Sequence, residues 1–327
     1  MSGPVPTVLV MAPTALSPSR AGDFMQCPLL FRFRVVDRLP EVRSPATVRG
    51  SVVHAVLERL FDLPAAERTL AAACGLLPGE WERLCELEPE VTQLFGGDAA
   101  AQTAWLTDAA TLIERWFGLE DPTRLEPAHR ELYVETTLEN GLTLRGYVDR
   151  VDLSGDGRMR VVDYKTGRAP REAYEAKALF QMKFYALVLW RLHGTVPALL
   201  QLVYLGSGEM LRYAPDEADL LATERKLTAL WSAIERAATT GDWRASPSKL
   251  CDWCDHRACA RPGVGSRPRC RPRGCCAWSS RGPTWSSSPA TPRSSPGGSP
   301  SRVGVASGLT PDARGSAALT RSTLSTR

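Results

Sequence analysis

The sequence predicts an α/β fold, with a small mixed sheet flanked by helices and a helical insert. Three observations predict it. Short apolar segments bounded by Gly or Asn-Gly turns read as strands at 131–138, Leu142–Leu153 and Met159–Tyr164. Apolar residues at helical spacing mark 49–61, 172–193 and 216–238. Residues 64–118, rich in Ala, Leu and Glu, read as a helical insert between the first of these helices and the first strand.

In chain order, residues 1–16 read as a disordered leader. Ser17-Pro18-Ser19 supplies the chemistry of a helix start ahead of Gly22–Phe33. The next helix, RGSVVHAVLERLF (49–61), carries Val53, Val56, Leu57, Leu60 and Phe61 on one side. Asn140-Gly141 turns the first strand into the second, and Gly155-Asp156-Gly157 turns the second into the third. An amphipathic helix over 172–193 leads to a further hairpin, Ala198–Leu205 and Glu209–Tyr213, around Gly206-Ser207-Gly208. The helix 216–238 then reaches a cysteine cluster at 251–259. From 260 to 327 Ser, Pro, Gly, Arg and Thr dominate. Such a segment buries too little apolar surface to offset its ordering entropy, so disorder is expected there.

The net charge of +4 is misleading, because the tail from Ala260 holds 11 Arg, no Lys and one acid, Asp312. Residues 1–259 carry 29 basic and 35 acidic side chains, a net −6, so global charge makes no case for nucleic-acid binding. No apolar run approaches the roughly 20 residues of a membrane span, and no signal peptide is legible, so a cytoplasmic location is expected. Nine cysteines, an odd number with no secretion signal, argue against a disulfide scaffold, and the tight clustering of three of them at 251–259 argues for a metal. No phosphate-binding G-x-x-x-x-G-K-[ST] loop is present, which excludes a helicase motor on this chain.

Two segments carry the chemistry: GYVDRVD (146–152) and VVDYKTG (161–167), on consecutive strands. Taken singly, Asp149, Asp152 and Asp163 would each more often be salt-bridge partners of Arg150, Arg158 and Lys165. Together, an Asp followed about fourteen residues later by Asp-x-Lys across a Gly turn is more specific. Two facing carboxylates repel unless a cation lies between them, and oxygen ligands suit Mg²⁺ or Mn²⁺. Lys165, two residues after Asp163, shares its face and could position a metal-bound water for attack on a phosphodiester. His54, on the apolar face of its helix, would by itself be a core histidine. Gln181 and Tyr185, four residues apart, share one helix face.

In order along the chain, SPSRAGDFMQCPLLFRF (17–33), RGSVVHAVLERLF (49–61), GYVDRVD (146–152), VVDYKTG (161–167), FQMKFYAL (180–187) and CDWCDHRAC (251–259) resemble the RecB/AddB-type nucleases of the PD-(D/E)XK superfamily. The resemblance implies a restriction-endonuclease-like core over 17–259. It also implies metal-dependent DNA cleavage by a single-strand-acting exonuclease of repair or recombination, with a helicase or another repair protein as partner. His54, Asp149, Asp163 and the backbone carbonyl of Tyr164 would hold Mg²⁺ or Mn²⁺. Lys165 would be the catalytic lysine, and Gln181 and Tyr185 would match the family's Gln-x-x-x-Tyr motif. Glu135 falls near an acidic position of the first strand and would act from behind the ligands. The competing reading is a catalytically silent DNA-binding or helicase-partner module.

Cys251, Cys254 and Cys259 place three thiolates within nine residues, and a fourth ligand must come from elsewhere. Thiolates suit Zn²⁺ or an iron–sulfur cluster, and spacing alone does not separate these. The resemblance favours a 4Fe–4S cluster, with Cys27 in Gln-Cys-Pro as the remote ligand; a structural zinc protein is the weaker reading. The family places five residues between the last two ligands, followed by Pro, whereas this chain has four, followed by Ala-Arg. A one-base shift of frame near codon 259 would account for that spacing and for the foreign tail; an intact frame on resequencing would end the idea. Cys74 and Cys85 read as apolar cysteines of the insert, and Cys270, Cys275 and Cys276 as unliganded.

Overall fold

The computed structural model of the chain describes residues 13–170 and 175–257. Most of the expected leader, the whole expected tail and Cys259 lie outside the described residues. Ala15 and Leu16, at the end of the expected leader, are buried as a two-residue strand, β1.

Helix α1 (Pro18–Gln26) starts where Ser17 accepts from Arg20 N and Pro18 supplies a preset φ. It stops at Cys27, extended at φ −163°, sooner than the expected helix through Phe33. Pro28 then opens the short helix α2 (Pro28–Phe31), and one π-helical turn follows over Arg32–Val36. Helix α3 (Pro45–Leu60) begins earlier than its apolar pattern suggests, because Ser44 caps it and Pro45 leads it in. The expected insert contains α4 (Leu70–Leu87), capped by Thr69, and α5 (Ala99–Phe117), capped by Asp98. Helices α6 (Glu175–His193) and α7 (Glu217–Thr240) complete the set. In α7, Asp216 and Asp219 cap each other's backbone, and Gly241 ends the helix at φ +72°. None of the described helices is long and apolar enough to cross a membrane.

The remaining strands are β2 (His129–Thr137), β3 (Thr143–Leu153), β4 (Met159–Lys165), β5 (Leu199–Tyr204) and β6 (Glu209–Tyr213). They form one six-stranded mixed sheet. β2 runs antiparallel along one edge of β3, from His129 opposite Val151 to Thr137 opposite Thr143. On the other edge, β1 pairs parallel with Thr143–Leu144, and β4 pairs antiparallel with Arg150–Leu153. β4 pairs parallel with β5, the two joined through α6, and β5 pairs antiparallel with β6. Strand β5 (LLQLVY) is almost wholly buried, as expected of a strand covered on both faces.

Two apolar cores separate across the sheet. One packs α1, α2, α6 and α7 against Leu144, Val148, Val151, Val161 and Leu202. The other packs α3, α4 and α5 against Val162, Tyr164, Val203 and Leu205. The result is helices on both faces of a sheet, with the helices of the insert completing one face.

A buried ion network pins α5 to the central hairpin. Arg150 is 1% exposed and donates twice to Glu120 at 2.8 Å, with Asp152 at 3.1 Å and the Tyr164 hydroxyl also in contact. Glu120 accepts in addition from Trp116 Nε1 and Gln201 Nε2. Burial alone would raise the Glu120 pKa, yet the hydrogen bonds and charge of Arg150 hold it below the ordinary carboxylate range. Asp152 also pairs with Arg160 at 2.7 Å, so for this residue the salt-bridge reading is realised. Removing one member of a buried pair strands a charge and typically costs about 3–5 kcal/mol, whereas replacing both by apolar groups often costs little. Urea unfolding should therefore show Glu120→Ala strongly destabilised and Glu120→Leu/Arg150→Met markedly less so. A single variant as stable as wild type would mean the network contributes nothing.

Candidate active site

The ladder between β3 and β4 ends at Arg150 opposite Val162. Asp149 and Asp163 come next in that register, just beyond the last pair. There the Tyr164 N–H donates to Asp149 Oδ2 at 2.7 Å. Each strand keeps its other neighbour, β2 or β5, so the opening between them is held from both sides.

Helix α3 brings His54 to this opening. Its Nδ1 lies 3.5 Å from Asp149 Oδ2, and its Nε2–H donates to the Tyr164 carbonyl oxygen at 2.9 Å. The structure thus gathers His54, Asp149 and the Tyr164 carbonyl at one point. It adds a residue that the sequence reading missed. The β2–β3 ladder skips Glu131 and Asp149, which lie between the pairs Arg130–Arg150 and Leu132–Val148, and His54, Glu131 and Asp149 offer one ligand atom each within 4.8 Å of one another. Glu131 holds φ at +43°, a left-handed conformation rare for a non-glycine residue in a strand. Glu135, the acid singled out from the sequence, stands exposed two rungs away and accepts from the Tyr133 hydroxyl.

Asp163 is 2% exposed and lies beside this group rather than within it. Its Oδ1 accepts from Gln181 Nε2 at 2.9 Å. Lys165 Nζ is 2.6 Å from Oδ2, an ion pair outside hydrogen-bond geometry, and donates to Gln181 Oε1 at 2.9 Å. Gln181 therefore bridges the acid and the lysine, while Asp163 Oδ2 is buried without a hydrogen bond. Tyr185, one turn along α6, is hydrogen-bonded to Gln181, and burial raises its phenol pKa. A Cβ on Gly146 would sit 2.8 Å from the Tyr185 ring, so the glycine of GYVDRVD is what lets this ring lie against β3.

The electrostatics favour a cation. Burial and then the Asp163 charge push the Asp149 pKa up to about 7, against an ordinary 3.8, with His54 opposing the shift. Burial likewise raises Glu131, and the charges of Glu58 and Asp163 add to it. Three crowded carboxylates, one with an oxygen lacking a hydrogen bond, a histidine and a backbone carbonyl form a donor set suited to Mg²⁺ or Mn²⁺. The His54, Glu131 and Asp149 group could bind one such ion.

Elsewhere, Cys27 accepts from Ser246 N and Cys251 from Ser248 N. Burial raises the Cys254 thiol pKa, and the Cys254 N–H donates to the Cys251 carbonyl, so Cys27, held by Ser246, lies against the segment that leads to Cys251 and Cys254. Among the described residues their sulfurs do not form a compact ligand group of the kind His54, Glu131 and Asp149 make. Cys74 and Cys85 are half-buried against the α3–α5 core, and burial raises both thiols, as expected of apolar cysteines.

Comparison with known proteins agrees with this geometry. The family model of the PD-(D/E)XK nuclease superfamily matches residues 15–259. The Gene 69 protein of Mycobacterium phage D29 is 25% identical over 197 residues, covering 54% of this chain and 70% of that protein. A crystal structure from Eubacterium rectale, described as a candidate exonuclease, aligns with a TM-score of 0.50 at 12% identity. It covers 74% of this chain and 88% of its own, a likeness of fold.

A carboxyl whose folded pKa exceeds its unfolded value binds its proton more tightly when folded, so ionising it costs stability. With Asp149 raised from 3.8 to about 7, metal-free protein should lose stability relative to Asp149→Asn as pH climbs across that interval. Thermal melts in EDTA check this, and parallel pH profiles for the two proteins would refute the elevated pKa.

Proposed function

The chain belongs to the PD-(D/E)XK nuclease superfamily, and from that premise we propose that it hydrolyses DNA phosphodiesters with Mg²⁺ or Mn²⁺ as a single-strand-acting exonuclease of repair or recombination. The observation that carries the reading is the buried Asp163 Oδ2, which has no hydrogen bond, is ion-paired to Lys165 at 2.6 Å and sits beside the charges of Asp149 and Glu131. His54, Asp149, Asp163 and the Tyr164 carbonyl would hold the cation, with Glu131 facing it. When bound, a divalent ion supplies charge stabilisation at the phosphate and lowers the pKa of water.

The chain's own residues do the rest. Gln181 holds Lys165 and Asp163 in fixed relation, so the ammonium is aimed at the space beside the carboxylate. From there the Lys165 ammonium would orient the attacking water and favour its hydroxide form by charge. Tyr185 steadies Gln181 through their hydrogen bond and packs against Gly146. The exonuclease choice draws on the order of motifs and on the description borne by the Eubacterium rectale structure. A helicase or another repair protein is the expected partner.

The test is digestion of labelled single- and double-stranded DNA with Mg²⁺, Mn²⁺ or EDTA by wild type, Lys165→Ala and Asp163→Asn. Each variant should lose at least about 10²-fold in rate, the usual worth of a positioned acid–base or electrostatic group. Equal cleavage by all three would assign the activity elsewhere. Well-folded wild type that binds DNA without cutting it would favour the silent module.

For the cysteines, Cys27, Cys251 and Cys254, with Cys259 as fourth, are proposed to hold a 4Fe–4S cluster that staples the two ends of the domain. Iron and acid-labile sulfide in anaerobically purified protein should both be present and be lost in Cys27→Ser. Zinc in their place would turn the site into a structural zinc centre.

A further inference from the structure

Tyr133 and Tyr147 face each other across β2 and β3, with ring centroids 5.2 Å apart. They are 47% and 58% exposed, although aromatic rings of this size are usually buried for their large apolar area. Their place in the ladder gives them meaning. They lie two residues along each strand from Glu131 and Asp149, past the Leu132–Val148 pair, or about 7 Å away. Val134 and Val148, next along each strand, enter the core under α1 and α6, so by alternation the two rings stand on the other face, the one from which α3 brings His54 to Glu131 and Asp149. Tyr185 and Pro18 cover the core face at Gly146.

The rings are also held. The Tyr133 hydroxyl donates to Glu135 and is hydrogen-bonded to Arg145 as well, so this ring keeps one orientation. Charge of the right sign lies beyond them. Arg145 occupies the following rung, opposite Glu135. Arg20 Nη1 donates to the Ala15 carbonyl at 3.2 Å, and Ala15 pairs with Thr143, two residues before Arg145, so Arg20 lies at the same end of the hairpin as Arg145. The surface therefore runs from a cation site through an exposed aromatic pair to Arg145 and Arg20, with the Glu135 carboxylate beside Arg145.

Resting on the nuclease reading above, we propose that Tyr133 and Tyr147 are a stacking platform for unpaired bases of the substrate, with Arg145 and Arg20 taking its phosphates, and that this platform selects single-stranded DNA. Every base has a π-face, so stacking is indifferent to sequence, and a charged track beside aromatic rings is how single strands are gripped. A duplex keeps its bases stacked on each other and offers the rings nothing except at a frayed end. The platform binds the strand adjacent to the cleaved phosphate and does not touch the reacting atoms.

The experiment uses the whole protein with a fluorescein-labelled oligo(dT), a duplex, and an abasic strand of equal length, read by anisotropy in Ca²⁺. Tyr133→Ala and Tyr147→Ala should each weaken oligo(dT) binding by roughly 5- to 100-fold. Tyr→Phe variants, which keep the ring, should stay within about 3-fold of wild type. Duplex and abasic strands should show no tyrosine dependence. In cleavage with Mg²⁺, KM for oligo(dT) should rise in the alanine variants while kcat holds. Circular dichroism and melting should be unchanged, since both side chains are exposed. Alanine variants that bind and cut oligo(dT) like wild type would overturn the platform while leaving the nuclease reading intact, and would point to a protein partner for these rings. Tyrosine-dependent binding without cleavage by wild type would sink the nuclease reading and keep the platform.

Discussion

The repulsion among Asp149, Asp163 and Glu131 is the constraint around which this part of the fold is arranged. Folding ordinarily keeps carboxylates apart or pairs each with a cation. Here Asp149 is pushed up to about 7 and Glu131 is raised with it. Asp163 has Lys165 and Gln181 for partners and still leaves one buried oxygen without a hydrogen bond. Such an arrangement persists only where the surrounding structure over-determines it. The strained φ of Glu131 belongs to the same arrangement.

What over-determines it is the sheet and the two cores that clamp it. β3 is held by β2 along nearly its whole length, and β4 is held by β5 through Lys165, so the strands can part at Asp149 without fraying. Behind the opening, Arg150 ties the hairpin to Glu120 at the end of the insert and touches the Tyr164 hydroxyl. The same Tyr164 presents its backbone N–H to Asp149 and its carbonyl to His54. One residue thus joins the structural ion network to the cation site, with its ring on one side and its peptide on the other. On the opposite face α6 delivers Gln181, and its neighbour Tyr185 rests on the space Gly146 leaves.

Much of this arrangement follows from local signals in the sequence. The hairpin could be read because apolar alternation and a Gly-Asp-Gly turn are local signals. Lys165 could be placed beside Asp163 because side chains in a strand repeat every two residues. Gln181 and Tyr185 could be paired because four residues is about one helical turn. Glu131 could not be found that way. Period two puts Glu131 and Glu135 on the same face of β2, and only the pairing with β3 sets Glu135 opposite Arg145 and leaves Glu131 beside Asp149. The strand itself begins at His129, earlier than its alternating pattern suggested. The salt-bridge reading proved right for Asp152 and incomplete for Asp163, a distinction resting on partners from other elements.

The amino-acid sequence by itself determined the chemical inventory and its local geometry: the acidic hairpin, the lysine in step with its aspartate, the capped helices and the clustered cysteines. These are short-range matters, governed by backbone sterics, side-chain period and caps. Tertiary structure alone decided that His54 meets a carbonyl 110 residues away, that Glu131 joins it, and that Tyr133 and Tyr147 stay uncovered beside the carboxylates. Those outcomes depend on strand register and on which helices cover which face. Both are set by burying two cores at once, and no local stretch of sequence encodes that sum.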